Sequence, residues 1–334
     1  MKKIDILDLT KIILTFMVVA IHSQLFPMVL YPWLRIAVPL FFIISSYLLY
    51  TKISISPKED KTKIIKHYIH RLLKLYIFWF IVLLPVTIYV RRTWFDNGIM
   101  IGLIKVITQP LLNSTFVASW YIIATIIGTL IIDYLSTHIN HVVLLLLSVF
   151  IYIICCFTSS YSFLYKEVDF FGIISKYTII DPHNSFMVSL IYIYIGKTIA
   201  EKNLKIKKGL NIFMIIFSSL LLYLEWFLIY KASGEFNKDC YFFLLPLAFF
   251  GFMFIINLNI KIDNSKLLRE FSNFTYPLHA SICVILNHIF KDFLNINDLL
   301  SGVICFLITI IICFISFVIV KKIEKKIKLL KYSY

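Results

Sequence analysis

The chain has 334 residues, of which 60% are hydrophobic and 15% charged, and its 33 Lys and Arg against 18 Asp and Glu give a formal net charge of +15. A water-soluble chain of this size cannot bury so much apolar surface, so the composition excludes a soluble protein and marks an integral membrane protein. The apolar runs are continuous over about 17–21 residues rather than alternating, which means helices and not the strands of an outer-membrane barrel.

The expected architecture is an all-α integral membrane protein, a single polytopic domain over 1–334 with no appended soluble domain. About ten transmembrane helices are expected, at roughly 8–27, 32–51, 71–90, 118–135, 141–158, 184–201, 210–230, 241–258, 274–291 and 299–320. Lys2 and Lys3 resemble the start of a signal peptide, but Asp5, Asp8 and Lys11 interrupt it and no small-residue cleavage site follows His22, so the first helix is expected to stay uncleaved. With the N-terminus inside, 24 of the 33 basic residues fall on inner segments and nine on outer ones, so both termini are expected to be cytoplasmic. The basic charge is thus a topology signal rather than a sign of nucleic-acid binding, and it offers a cationic inner surface to anionic lipid or a phosphorylated molecule. The outer stretches 91–117 and 159–183 are the longest loops.

The first span carries a polar stripe. Lys11 and His22 are eleven residues apart, which at about 100° per residue brings them within roughly 20° of one another on the helix, about 16 Å apart along its axis. Thr15 lies between them and Asp8 close by. Such a stripe in lipid is expensive and usually faces a bundle interior where it has a role; the plain alternative is a snorkelling Lys11 and a His22 that reaches the far interface. Orientation gives the other polar residues a depth. Ser45, Ser46, Arg71, Lys74, Tyr76, Tyr276 and His279 fall near the inner side, and Ser23, Arg35, Trp120, Tyr121, Asn184 and Glu225 near the outer side with His22. Glu225, set in Leu-Leu-Leu-Tyr-Leu-Glu-Trp-Phe-Leu, is protonated, paired or facing a cavity. Its depth allows a pairing with His22 that would orient the imidazole, and equally an outer-interface carboxylate held by water. His279 is either a ligand-contacting group or a helix-to-helix hydrogen bond. His67 and His70 read as solvated members of the basic inner loop.

Phosphate-binding glycine loops, His-Glu-x-x-His and CxxC pairs are absent from the sequence, which disfavours nucleotide hydrolysis and metal chemistry. The six cysteines have no metal-ligand spacing and read as small packing residues, with only Cys240 in an outer loop.

Five segments together resemble membrane acyltransferase family 3. Ile4-Asp5-x-Leu7-x-x-x-Lys11 with His22 resembles its Arg/Lys-x10-His motif. Val38-Pro-Leu-Phe-Phe-Ile-Ile-Ser45-Ser-Tyr is similar to its Val-Pro-Leu-Phe-Phe-x-x-Ser-Gly-Tyr, with Ser46 in place of glycine. His70-Arg71-Leu-Leu-Lys74, Ser119-Trp120-Tyr121 and Tyr276-Pro-Leu-His279 resemble later elements in the same order. The run around Glu225 looks more like the branch that includes membrane domains of serine/alanine racemases. The resemblance implies transfer of an acyl group, commonly acetyl, from cytoplasmic acetyl-CoA or another acyl-CoA to a hydroxyl of a surface or lipid-linked glycan, in a bacterial plasma membrane and without a metal. It assigns Lys11, Ser45, Arg71, Lys74 and His279 to the CoA side, Arg35, Trp120 and Tyr121 to the acceptor, and catalysis to His22 with Glu225. The rival class is a polytopic transporter or flippase of a small polar or glycan substrate.

Overall fold

The computed structural model describes residues 4–96, 98–113, 120–165, 181–258, 260–290, 294 and 297–334. Among the described residues there is no strand. The helices are α1 (Ile4–His22), α2 (Pro27–Leu34), α3 (Ala37–Ser54), α4 (Lys61–Val82), α5 (Leu84–Arg91), α6 (Ile99–Leu112), α7 (Trp120–His138), α8 (His141–Thr158), α9 (Phe186–Lys202), α10 (Lys208–Ser233), α11 (Leu244–Ile255), α12 (Ser265–His288) and α13 (Asp298–Ile323).

Among the described residues, five helical runs are long and apolar enough to cross a membrane: Leu30–Ser54, α7, α8, α10 and α13. A sixth arises if α4 and α5 are one broken span. This is fewer than the ten expected, for identifiable reasons. α1 carries Asp5, Asp8 and Lys11, α9 has 17 residues, α11 has 12, and the first half of α12 is polar. The segment expected as one span at 71–90 bends by 70° where α4 meets α5. Pro85, in the first turn of α5, has no N–H to continue the α4 ladder and disfavours helical geometry just before it. Part of the stretch expected as a loop at 91–117 is helix α6.

The centre of the bundle is α9, which packs on α3, α7 and α8. Its contact with α3 is close because Gly196 faces Ser46: a Cβ on Gly196 would lie 1.9 Å from Ser46 Oγ and 2.5 Å from the Ile43 carbonyl. Ser46 turns its hydroxyl back to the Phe42 and Ile43 carbonyls, so small residues on both helices let the backbones approach, as in membrane helix pairs generally. Phe42 stacks parallel on Tyr192, whose hydroxyl donates to Tyr152, which donates in turn to the Tyr241 carbonyl. This buried stack and the two hydrogen bonds tie α3, α9, α8 and the turn before α11 together. All six cysteines are free and buried, Cys240 included.

Candidate active site

α1 and α12 pack along one another and share a seam of polar contacts. Starting from the first turn of each, Ser265 donates to Asp5 at 2.9 Å, Arg269 to Asp8 at 3.1 Å, and Ser272 to the Lys11 carbonyl at 3.2 Å. Thr15, fully buried, bonds the Ser272 hydroxyl at 2.7 Å. The seam ends with the imidazole of His22 against that of His279, ring centroids 5.1 Å apart and tilted by 57°, while Asn287 donates to the His22 carbonyl. His279 is completely buried. Its Nδ1 lies 3.2 Å from the Thr275 carbonyl, which can only accept, so Nδ1 carries the proton and Nε2 keeps its lone pair. That Nε2 is buried and has no hydrogen-bond partner among the described residues.

Sequence depth placed His279 on the inner side; the structure puts it beside His22. The reason is where α12 begins. The span expected from 274 is helical from Ser265, because Asp5 and Asp8 of α1 give its polar first turns partners. His279 therefore sits fourteen residues, about 21 Å, along the helix.

Beside this seam lies a cavity of about 440 Å³. Its cations among the described residues are Lys11 of α1, Lys52 of α3, Arg71 of α4 and Arg269 of α12, with His67 at the same wall, and among the described lining residues there is no Asp or Glu. Asp8 stands behind, 1% exposed, holding Arg269. Ser45 also lines it, its hydroxyl 2.7 Å from that of Tyr68. On α3 the lining runs from Phe41 to Lys52, which is about 16 Å of helix. On α4 it follows Ile64, His67, Tyr68, Arg71, Leu72 and Leu75, a stripe of helical period. Lys74, expected beside Arg71, lies off that stripe and places its ammonium 4.9 Å over the Tyr332 ring. His67, expected in solvent, belongs to it, four residues before Arg71. Sequence reasoning assigned no site role to Lys52, His67, Tyr68 or Arg269. The i, i+4 relation to Arg71 was the available signal for His67; Arg269 became legible only through its contact with Asp8.

The residues expected around the acceptor do not form one cluster. Tyr121 lines the cavity with Lys11, its hydroxyl donating to the Phe41 carbonyl at 3.1 Å. Trp120 packs on Phe42. Arg35 pairs with Asp239 at 2.5 Å and covers the Tyr31 ring. Asp239 is also 3.6 Å from His183, which meets Asp181 at 2.8 Å. Burial disfavours the charged His183 imidazole, but its pairing with the Asp181 carboxylate and the charge of Asp239 together outweigh it, so its pKa is raised above the ordinary value. Glu225 is not joined to His22 by any ion pair or hydrogen bond. Its carboxylate accepts from the Tyr161 hydroxyl at 2.8 Å and from the backbone N–H groups of Phe242 and Phe243 at 2.7 and 3.0 Å. Those amides lead into α11, and a carboxylate there satisfies orphan donors of a helix start.

A family model described as an acyltransferase domain matches residues 4–318 of this chain, taking in α1 and α12 entire and with them the Lys11–His22 stripe and the His279 face. The chain belongs to acyltransferase family 3. Among curated proteins, this member of acyltransferase family 3 is 24% identical to an amino-acid racemase of Enterococcus faecalis over 341 residues, 97% of the chain and 47% of the relative. It is 24% identical to a serine/alanine racemase of Enterococcus gallinarum over 261 residues, 75% of the chain and 37% of the relative. The chain thus spans less than half the length of these relatives. No solved structure matches it. Family membership and the long apolar helices together describe a multi-pass membrane protein built on an acyltransferase family 3 domain.

Proposed function

We propose that the chain transfers an acyl group, acetyl by preference, from a cytoplasmic CoA thioester to a hydroxyl of a glycan or lipid-linked glycan at the cell membrane. The observation that carries this reading is the cavity. Lys11, Lys52, Arg71 and Arg269 line it with no carboxylate among the described lining residues, the chemistry that suits a phosphate-rich ligand. Its size falls in the range of small-molecule sites, and its length along α3, about 16 Å, suits an extended pantetheine arm. In this reading ten spans cross the membrane with both termini cytoplasmic, the phosphates lie among Lys52, Arg71 and Arg269, and the thioester points toward His22 and His279.

The chemistry asked of the site is modest. The acceptor oxygen attacks the thioester carbonyl, the C–S bond breaks, and CoA leaves as its thiolate. His22 takes the hydroxyl proton and returns it to the sulfur, while His279, its Nδ1 committed to Thr275, offers a fixed second lone pair beside it. General-base catalysis is worth about 10²–10⁴ in rate. Label transfer from [14C]acetyl-CoA to the glycan fraction of membranes carrying the chain is therefore expected to fall by about that factor in His22→Ala at equal expression. Glycan labelled as well by His22→Ala as by the parent would refute the assignment.

A transporter or flippase of a small polar or glycan substrate is the second reading, and the name of one relative, a serine/alanine racemase, makes serine the solute to try. Serine uptake into proteoliposomes, with acetyl-CoA left intact, would favour it over transfer.

A further inference from the structure

The deep end of the cavity is closed by aromatic rings. Phe41 is the lining residue closest to the start of α3, Tyr276 the lining residue furthest along α12, and Tyr121 stands in the first turn of α7. The three rings pack on one another edge-to-face or tilted, with centroids 5.7 Å (Phe41–Tyr121), 5.5 Å (Phe41–Tyr276) and 5.3 Å (Tyr121–Tyr276) apart. Neither His22 nor His279 lines the cavity. The imidazole of His279 lies immediately beyond, 5.8 Å from the Tyr276 ring. The order along the seam is therefore cation-lined cavity, ring cluster, imidazole pair.

The cluster is rigidly held. Tyr121 is pinned to α3 by its bond to the Phe41 carbonyl, and Phe42 also packs on Tyr121, centroids 4.6 Å apart. Phe41 and Tyr276 are each 6% exposed. A group arriving from the cavity meets this packed collar before it meets an imidazole, and close-packed walls do not yield to an extra methylene without cost.

We propose that Phe41, Tyr121 and Tyr276 form a size filter for the acyl chain of the donor, admitting acetyl-sized groups and rejecting longer ones. This rests on reading the cavity as the CoA thioester site. The filter makes the three rings specificity-determining residues for the reaction: they contact the acyl group, whereas the cations hold the phosphates whatever acyl group follows.

The test is equilibrium binding of CoA, acetyl-CoA, butyryl-CoA and hexanoyl-CoA to the purified full chain in nanodiscs. It is made for the parent, Phe41→Leu and Tyr276→Leu, two conservative truncations on different helices. One methylene more or less in a shaped pocket changes discrimination by about 10–200-fold. The parent is expected to bind CoA and acetyl-CoA alike and butyryl-CoA at least about tenfold more weakly, with hexanoyl-CoA weaker again. Each variant is expected to keep its affinity for CoA and to narrow the butyryl gap to about threefold, one added methylene of room being worth roughly fourfold. A parent that binds CoA and all three thioesters equally would overturn the filter and leave the donor site standing. So would variants that bind CoA yet discriminate as the parent does. A parent that binds neither CoA nor any thioester would overturn the donor reading itself, and the filter with it.

Discussion

Glu225 shows how a residue's type can be read from sequence while its partner cannot. An acid in so apolar a run must be satisfied, and it is, by Tyr161 and by two backbone amides supplied seventeen and eighteen residues later. No periodicity reports that return of the chain. Removing the carboxylate leaves buried donors unpaired, which costs about 1–3 kcal/mol for each such group. Glu225→Ala is therefore expected to lower the midpoint of thermal unfolding while leaving the affinity for CoA unchanged; full stability with lost transfer would instead give Glu225 a chemical role. His183 makes a prediction about pH. Its pKa is raised in the folded chain by Asp181 and Asp239, so the stabilisation from this charged imidazole is complete below its unfolded value of about 6.5 and is lost as pH rises through the higher folded value. Unfolding midpoints measured from pH 6 upward are expected to fall for the parent and to fall less steeply for His183→Gln. Parallel profiles would show that the pair with Asp181 has no such effect.

At the scale of single elements, the facing of Lys11 and His22 was legible because it depends only on helix geometry. The same geometry makes His67 and Arg71 neighbours on α4, but the run of basic residues around them reads as a loop in sequence, whereas the helix begins at Lys61. What sequence could not supply is the register between helices. The seam from Asp5–Ser265 to His22–His279 fixes α1 against α12, and it moves His279 from the cation-lined end, where sequence depth put it, to the imidazole pair. Arg71 lies at the cation-lined end, where the proposed donor would place its phosphates. A hydrogen bond to a charged group is worth about 1.5–3 kcal/mol, so Arg71→Gln is expected to raise the KM for acetyl-CoA by roughly 10–100-fold with little change in kcat. A fall in kcat at unchanged KM would place Arg71 elsewhere in the reaction. On α9, Gly196 has no room for a side chain against Ser46. Gly196→Val is expected to destabilise the bundle by about 1–3 kcal/mol or more through overpacking, read as a lower unfolding midpoint; an unchanged midpoint would mean α3 and α9 separate freely.

Across the whole molecule, the composition fixed the class at once, and alternating loop charge fixed an orientation to be tested. Counting spans was harder, because helices that pack inside a bundle need not be apolar all round: α1 and α12 turn polar faces to each other, and the α4–α5 pair breaks at Pro85. Those departures from an ideal span are the elements that build the site. The cavity opens among α1, α3, α4, α7 and α12, gathering cations from four separate places in the sequence, and its deep end stops at a ring collar beside two imidazoles. The most direct test is a cryo-electron microscopy map of the full chain with acetyl-CoA bound. CoA density is expected between α3, α4 and α12, with phosphates near Lys52, Arg71 and Arg269 and the thioester at Phe41, Tyr121 and Tyr276. CoA density lying wholly outside that cavity would contradict it.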